Sequence, residues 1–482
     1  MRSEASSPSD RLQVLARSNR FSEYATILAS ALILTIVLAA AWAFPERFVL
    51  LPIAAVAAIL ATAAFVNERT GLVLAILGGV SVLNVGADSG PVQYAYMVYL
   101  ALYLAIWYGR RIGHVPIVQS RLDVVAVVVI AMIPVSAAVG LALGAEIKPL
   151  GGETADLMPL ALYFPVRTLC ASRDNGYKLA IIALVLYGAA TCLYTFWRTY
   201  DMLTNADAVW KVLRVRAAGG EVSIVTGFVL STALLGESRR RAHVALSVIS
   251  VGLALVGLLL TKSRGYWLGA AVGGLAVWVF SPPSIRSRLN LRLVAMIVGG
   301  GALSYLLVGD LLITLGAGVL ERIFSVSSAV TTDPSMLNRF RESEAVWALV
   351  PNSPVFGHGV GTTYSYYNAE SEGTRNYSFI HNGLASLWFK QGAVGFFGTL
   401  GLWVGSLWCA FSMARRNALP MDHRMAALAA GAGLAANMVP IYTSSPFYLI
   451  NIVLATTTLI GLASGLSLRA ASMQEAVSTA SS

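Results

Sequence analysis

Thirteen apolar runs dominate this chain, at about 26–43, 48–66, 71–86, 91–108, 122–143, 179–197, 222–236, 243–260, 265–280, 292–309, 382–411, 425–441 and 446–467. Several approach or exceed the roughly 18 residues that an α-helix needs to cross a bilayer. Lipid offers the backbone no hydrogen bonds, so runs of this kind fold as helices that satisfy their own N–H and C=O groups. A soluble chain carries about 25% charged residues, whereas this one of 482 residues carries 12%, with 57% hydrophobic types. The expected fold class is therefore an all-α, polytopic membrane protein with about 12–14 transmembrane helices and one large, partly helical loop.

In such a chain a net charge of +10 is no nucleic-acid signal, because Lys and Arg collect in short cytoplasmic loops and set orientation. The three cysteines, Cys170, Cys192 and Cys409, all lie in apolar stretches and form no disulfide framework. No CxxC, HExxH, Walker-type or dinucleotide-binding pattern is present. The polar segment 1–25 carries Arg2, Arg11, Arg17 and Arg20 and is long for a signal peptide, so an uncleaved first span is expected.

Four loops are strongly basic: Arg110-Arg111, Arg239-Arg240-Arg241, Arg286/Arg288/Arg292, and Arg415-Arg416 with Arg424. The positive-inside rule puts them, and the N-terminus, in the cytoplasm. Three clear spans separate Arg110 from Arg239, and an odd number cannot begin and end on one side. Parity is restored if 155–171, with Pro159, Pro165 and Arg167, is a further membrane segment. Two prolines make that segment a broken helix rather than a regular one; the rival reading is a 35-residue outer loop with another span miscounted. Fourteen spans put both termini in the cytoplasm and give five parts: a cytoplasmic segment 1–25, a helix bundle 26–309, an outer loop 310–380, C-terminal helices 381–468 and a disordered tail 469–482.

The topology leaves basic residues on the outer face that break the rule orienting the rest. Arg264 lies in the turn Thr261-Lys262-Ser263-Arg264, Arg214 and Arg216 lie in the polar stretch 198–221, and Arg339 and Arg341 lie in the long loop. A guanidinium stays protonated and binds phosphate oxygens in bidentate fashion, so an anion held there would offset its exposure. The competing roles are snorkelling to headgroups and pairing with Glu342 or Glu344. Within the loop, a helix is expected from Asp333 to Leu349, then a turn with glycines 357, 359 and 361, then a Tyr-rich run with Tyr364, Tyr366, Tyr367 and Tyr377. These tyrosines suit either a platform for sugar rings or the packing of the loop. His381 stands where the chain re-enters the membrane; imidazole changes charge near neutral pH and can accept a proton from an attacking hydroxyl. The alternative is an interfacial His at a helix start. His358, between Gly357 and Gly359, reads as a turn residue, and glycines 392, 395, 398, 401 and 405 read as helix-packing positions.

These residues resemble a known family. His381-Asn382, nine residues, then Gly392-Ala393-Val394-Gly395 is similar to the His-Asn signature of the bacterial O-antigen ligases and polymerases. Leu260-Thr261-Lys262-Ser263-Arg264-Gly265 resembles that family's Leu-Thr-x-Ser-Arg-Gly turn, and Arg264 to Leu268 its Arg-x-x-x-Leu element. Arg339, fifteen residues before Pro354 and the Gly357-His358-Gly359 turn, resembles its loop arginine, though Ser343 stands where a Trp is common. The resemblance covers roughly 205–412.

The resemblance implies a GT-C-like glycosyltransferase of the bacterial inner membrane, with a periplasmic site. Its donor would be a glycan on polyprenyl (undecaprenyl) diphosphate, and its acceptor a glycan or a lipid A-core hydroxyl. It further implies a metal-independent, inverting reaction without a cofactor. His381 would be the base, and Arg264 and Arg339 would stabilise the diphosphate. Arg341, Arg214, Arg216, Tyr364, Tyr377 and Asn382 would line the substrate. Fourteen spans exceed the twelve usual for ligases, which leans toward a polymerase. A transporter or flippase of lipid-linked glycans is the alternative; it would place charges at mid-membrane, where Arg167 is the exception in spans that read as nearly charge-free.

Overall fold

A computed structural model describes residues 67–83, 91–112, 116–172, 176–204, 220–261, 263–299, 334–368, 373–442, 444–445 and 447–481. The expected spans 26–43 and 48–66, the arginines Arg214 and Arg216, and the first part of the long loop lie outside the described residues. The helices are α1 (Glu68–Gly78), α2 (Pro91–Gly109), α3 (Arg121–Ala142), α4 (Ile147–Leu157), α5 (Tyr163–Ala171), α6 (Gly176–Thr204), α7 (Glu221–Glu237), α8 (Arg241–Thr261) and α9 (Arg264–Phe280). Residues 283–299 are helical as well. Then come α10 (Pro334–Leu349), the hairpin β1 (Tyr364–Asn368) and β2 (Gly373–Tyr377), α11 (Gly383–Ala414), α12 (Met421–Met438) and α13 (Ile450–Ser481). Among the described residues, six stretches are long and apolar enough to cross a membrane: Arg121–Ala142, Gly176–Tyr200, Arg241–Thr261, Gly383–Ala414, Met421–Tyr442 and Ile450–Glu475. The protein is an all-α, multi-pass membrane protein, with α13 buried along most of its length inside the bundle.

The basic loops gather at one end. Arg288 and Arg292 donate to the carbonyls of Glu237 (3.4 Å) and Ser238 (3.0 Å), beside Arg239. Arg415 lies 5.2 Å from the ring centre of Phe280. Phe280 packs on Phe411 at 5.1 Å, so α9 and α11 run the same way and their starting residues share the opposite end. Arg264 and the His381 junction therefore lie toward the same end of the bundle, opposite the basic loops.

The segment that charge parity required is a broken traverse alongside α3. It leaves α3 through a turn at Gly144, runs as α4, narrows to a 3-10 turn over Met158–Leu162, and continues as α5. At its start Glu153 takes the Gly361 N–H (2.7 Å), while Val360 bonds the Ser136 carbonyl of late α3 (3.2 Å). At its finish Arg167 pairs with Asp123 in the first turn of α3 (3.1 Å). The segment thus runs from one end of α3 to the other. Pro159 opens the 3-10 turn and Pro165 sits in the first turn of α5, positions where a missing N–H leaves no intrahelical bond unmade.

Two expectations are corrected here. The tail expected to be disordered from 469 onward continues α13 to Ser481; it has no Gly or Pro after Gly465 to stop it. The span 382–411 is two helices joined at a kink rather than one rod, with non-helical backbone at Gly392 (φ 63°, ψ −167°).

Candidate active site

The site is built on a small core of its own. Along α10, Asn338, Glu342 and Val346 recur every four residues on one buried face. Val346 packs with Tyr364 and Tyr366 of β1, Ile380 of the following loop, and Ala385 and Phe389 of α11. In β1 the side chains alternate, Tyr364 and Tyr366 buried and Ser365 and Tyr367 exposed. Glu342 is 1% exposed in this setting, where an ionised carboxylate needs full hydrogen bonding to persist. It has it: Oε1 accepts from the His381 backbone N–H (2.9 Å) and the Tyr364 hydroxyl (2.6 Å), and Oε2 faces His381 Nδ1 at 2.8 Å.

A carboxylate opposite Nδ1 places the neutral ring's proton on that nitrogen and leaves the Nε2 lone pair for a substrate. The His381 side chain is 40% exposed, and the edge-on ring of Phe379 at 5.0 Å holds it from the side. Burial and the Glu342 carboxylate push the Tyr364 phenol well above its ordinary pKa, so its hydroxyl stays a donor. Glu342, His381 and Tyr364 form a chain in which a buried anion orients an exposed imidazole.

Asn382 caps the helix that follows. Its Oδ1 accepts from the backbone of Leu384 (3.1 Å) and Ala385 (3.2 Å), and its Nδ2 donates to Ser343 (3.2 Å). A side-chain cap of this kind contributes about 1 kcal/mol. After nine residues the helix breaks at Gly392, which frees carbonyls before the break and N–H groups after it. The loop 353–360 takes them up. His358 and Gly359 donate to the carbonyls of Phe389 (2.6 Å) and Lys390 (3.1 Å), and Ala393 and Val394 donate to those of Pro354 (2.8 Å) and Val355 (3.3 Å). Each such group left unpaired would cost about 1–3 kcal/mol. Only glycine fits on both sides of this joint: a Cβ on Gly392 would lie 2.2 Å from the Val355 oxygen, and one on Gly359 2.1 Å from the Gly140 nitrogen. Gly392 thus serves a kink rather than the helix packing expected of it, while Gly398, Gly401 and Gly405 do face a neighbouring helix at Val129, Val125 and Leu122 of α3.

His358 stacks on Phe389, ring centres 4.5 Å apart, and is the turn residue the sequence suggests. Desolvation lowers its pKa, so it is held neutral. One helical position after Phe389, Lys390 is buried and paired with Glu153 of α4. The membrane segments are therefore not nearly charge-free apart from Arg167: Lys390–Glu153 and Arg167–Asp123 are both buried pairs, hidden in the sequence because their partners come from different helices.

The expected site residues fall into three groups. His381, Asn382, Arg339, Arg341, Tyr364 and Tyr377 come together around α10 and the hairpin. Arg339 shares a helix face with Ser343, one turn on, which touches Asn382. Arg341 is exposed and lies 5.9 Å from the ring centre of Tyr367. Tyr364 is spent on Glu342, and the Tyr377 hydroxyl accepts from Asn368 (3.1 Å), so these two pack the loop. Tyr367 is the exposed ring of the run, at 52%. Arg264 is half-buried at the first position of α9, at the same end of the bundle. Arg214 and Arg216 lie outside the described residues. Among the described residues no group of three His, Cys, Asp or Glu side chains is placed to hold a metal ion.

Glu342 was not singled out from the sequence as part of the site. Its one sequence signal is its place: an acid in the otherwise buried stripe of α10, four residues after Asn338 and four before Val346.

Residues 249–400 match the sequence model of a family described as O-antigen ligase. The match takes in Arg264, α10, the glycine-rich turn, His381 and the Gly392 kink. No curated protein matches the chain.

Proposed function

We propose that this chain, whose residues 249–400 match the O-antigen ligase model, moves a glycan from a polyprenyl diphosphate to an acceptor hydroxyl, at the periplasmic end of the bundle. The observation that carries this reading is the buried Glu342 bonded to the exposed ring of His381 at 2.8 Å. An acceptor hydroxyl bound at His381 Nε2 gives its proton to that nitrogen as its oxygen attacks the anomeric carbon. The bond from that carbon to the diphosphate oxygen breaks on the opposite side, its electron pair leaves with the diphosphate, and configuration inverts. Glu342 stabilises the imidazolium that forms, in the way an acid supports a catalytic His elsewhere.

The leaving group is already a good one, so the remaining demand is charge stabilisation. Arg264 and Arg339 meet it with guanidinium groups matched to phosphate oxygens, and this is the basis for a metal-independent reaction. Arg341 and the exposed ring of Tyr367 form the rim on which a sugar would rest. The buried pair Lys390–Glu153 favours the rival reading of a transporter of lipid-linked glycans. Glu153 also holds the Gly361 N–H, and Ser136 holds the Lys390 carbonyl, so the pair braces the kink.

The test is transfer of a polyprenyl-diphosphate glycan by the purified chain in liposomes. His381→Ala should abolish transfer while expression and insertion are unchanged, and Arg264→Lys should fail for want of bidentate geometry. Full transfer by His381→Ala overturns the base assignment, and loss of activity on chelation overturns the metal-independent route. Deleting the gene separates the two branches: single-repeat surface chains mark a polymerase, and long chains left on the carrier mark a ligase.

A further inference from the structure

The loop helix that carries Glu342 has a second apolar face that the site does not use. Opposite the buried stripe of α10, Phe340 and Trp347 are exposed, two helical turns apart on one side. Trp347 meets Trp388 edge-on at 6.0 Å, and Trp388 in turn meets Phe397 at 5.6 Å. Val355 and Phe356, each 50% exposed, sit on the same joint, since Val355 accepts from Val394 and the Trp388 indole donates to the Pro354 carbonyl (3.1 Å). Trp347, Trp388 and Phe397 are in ring contact, and Phe340, Val355 and Phe356 are exposed on the same helix and joint. A loop standing in water rarely exposes such a patch without a partner.

The patch does not end at the loop. Phe397, 61% exposed, begins a stripe on α11 that continues through Val404 and Trp408, the outward face of a membrane span. The exposed rings of α10 thus adjoin, through Trp388, the apolar outward stripe of a helix long enough to cross a membrane. Its chemistry also fits the boundary: two Trp rings, amphipathic and common at headgroup level, with exposed Arg341 on the flank to meet phosphates.

We infer that α10 lies on the bilayer, with Phe340, Trp347, Val355 and Phe356 in the boundary between headgroups and acyl chains of the leaflet at the His381 end. The loop is then a membrane-seated element that holds the Glu342–His381 pair at headgroup depth. This inference concerns the lipid contact alone and stands whether or not the chain transfers a glycan.

The experiment uses the full chain in phosphatidylcholine and phosphatidylglycerol liposomes. A nitroxide is attached at Phe356→Cys, with Ser365→Cys on the exposed side of β1 as the aqueous reference. Both are made in a Cys409→Ser chain, the other two cysteines being buried. The label at 356 should be more accessible to oxygen, and several-fold less accessible to a water-soluble nickel chelate, than the label at 365. Equal access of the chelate to both positions overturns the inference. So does a label at 356 shielded from both reagents, because protein and not lipid would then cover the patch. A second measurement needs no label: brominated lipid should quench less total tryptophan emission in Trp347→Phe than in the parent. An unchanged quenched fraction overturns the inference as well.

Discussion

Replacing Glu342 by Gln separates the chemistry of the acid from its shape. The amide is nearly isosteric and can keep both bonds that Oε1 makes, from the His381 backbone (2.9 Å) and the Tyr364 hydroxyl (2.6 Å). What changes is the position facing Nδ1 at 2.8 Å, where an acceptor becomes an N–H donor. Flipping the amide offers no escape, because its NH2 would then confront the His381 backbone N–H, a donor that no tautomer or rotation can turn into an acceptor. The cheaper response is for the ring to move its proton from Nδ1 to Nε2. That tautomer presents an N–H to the acceptor hydroxyl and cannot take its proton. The expected cost is the worth of a positioned general base, about 10²- to 10⁴-fold in kcat, or roughly 2.7–5.4 kcal/mol at about 1.36 kcal/mol per tenfold. Substrate groups do not touch the buried carboxylate, so KM should stay close to the parent value. The assay is steady-state glycan transfer in liposomes, with thermal unfolding in detergent to show that the loop remains folded. A kcat equal to that of the parent, in a chain that binds and unfolds normally, would refute the tautomer argument.

Tyr364→Phe should give a milder version of the same loss, since one charge-assisted bond worth about 1.5–3 kcal/mol is removed while the ring remains; transfer rates check it. Asp123→Ala leaves the buried Arg167 without its 3.1 Å partner and should destabilise the bundle by about 3–5 kcal/mol, read as a drop in Tm. Gly392→Ala puts a methyl against the Val355 oxygen and should lower both Tm and transfer, whereas Gly401→Ala, which meets open packing, should leave both nearly unchanged. His358 has a folded-state pKa below its unfolded one. The unfolded chain therefore binds more protons, and stability from this residue is present above about pH 6.5 and is lost as pH falls below it. Parent and His358→Gln chains compared at pH 7.5 and pH 5 should show the larger Tm loss in the parent.

The parts of this fold legible in the sequence are those governed by local or averaged quantities. The six long apolar helices among the described residues follow from run length. The parity of the basic loops points to a further segment at 155–171, and the structure begins it earlier, at Ile147. His381 and Arg339 stand out by motif order and by position on the expected outer face. What stayed hidden depends on partners distant in sequence. Glu342 lies 39 residues before His381, and no periodicity in either segment announces that they meet. Lys390 reads as an isolated charge in an apolar run until Glu153 arrives from α4. The alternation Tyr364, Tyr366 inward and Ser365, Tyr367 outward is a strand signal of period two, which a reading of the tyrosines as one aromatic platform passes over. Of the four, Tyr367 is the most exposed to solvent, and a hydrophobicity count cannot distinguish it from its neighbours.

The spacing of the His-Asn signature has a mechanical explanation that neither motif residue supplies alone. Asn382 starts a helix and Gly392 ends it, so the nine residues between them are one rigid piece, about 13.5 Å long at 1.5 Å per residue. Both ends of this piece are pinned. At the start His381 is tied to Glu342 through backbone and ring; at the finish the carbonyls of Phe389 and Lys390 are tied to the glycine-rich turn. Its sides are pinned as well, with Ala385 and Phe389 facing the loop core, Leu387 facing the bundle, and Lys390 reaching α4. One residue more or fewer would rotate one end against the other by about 100°. Either Phe389 would leave its core or His381 would leave its carboxylate. The length of the helix therefore sets the aim of the imidazole. Within the signature, His381 holds the chemistry, while Asn382 and Gly392 fix the distance and the angle at which it is delivered.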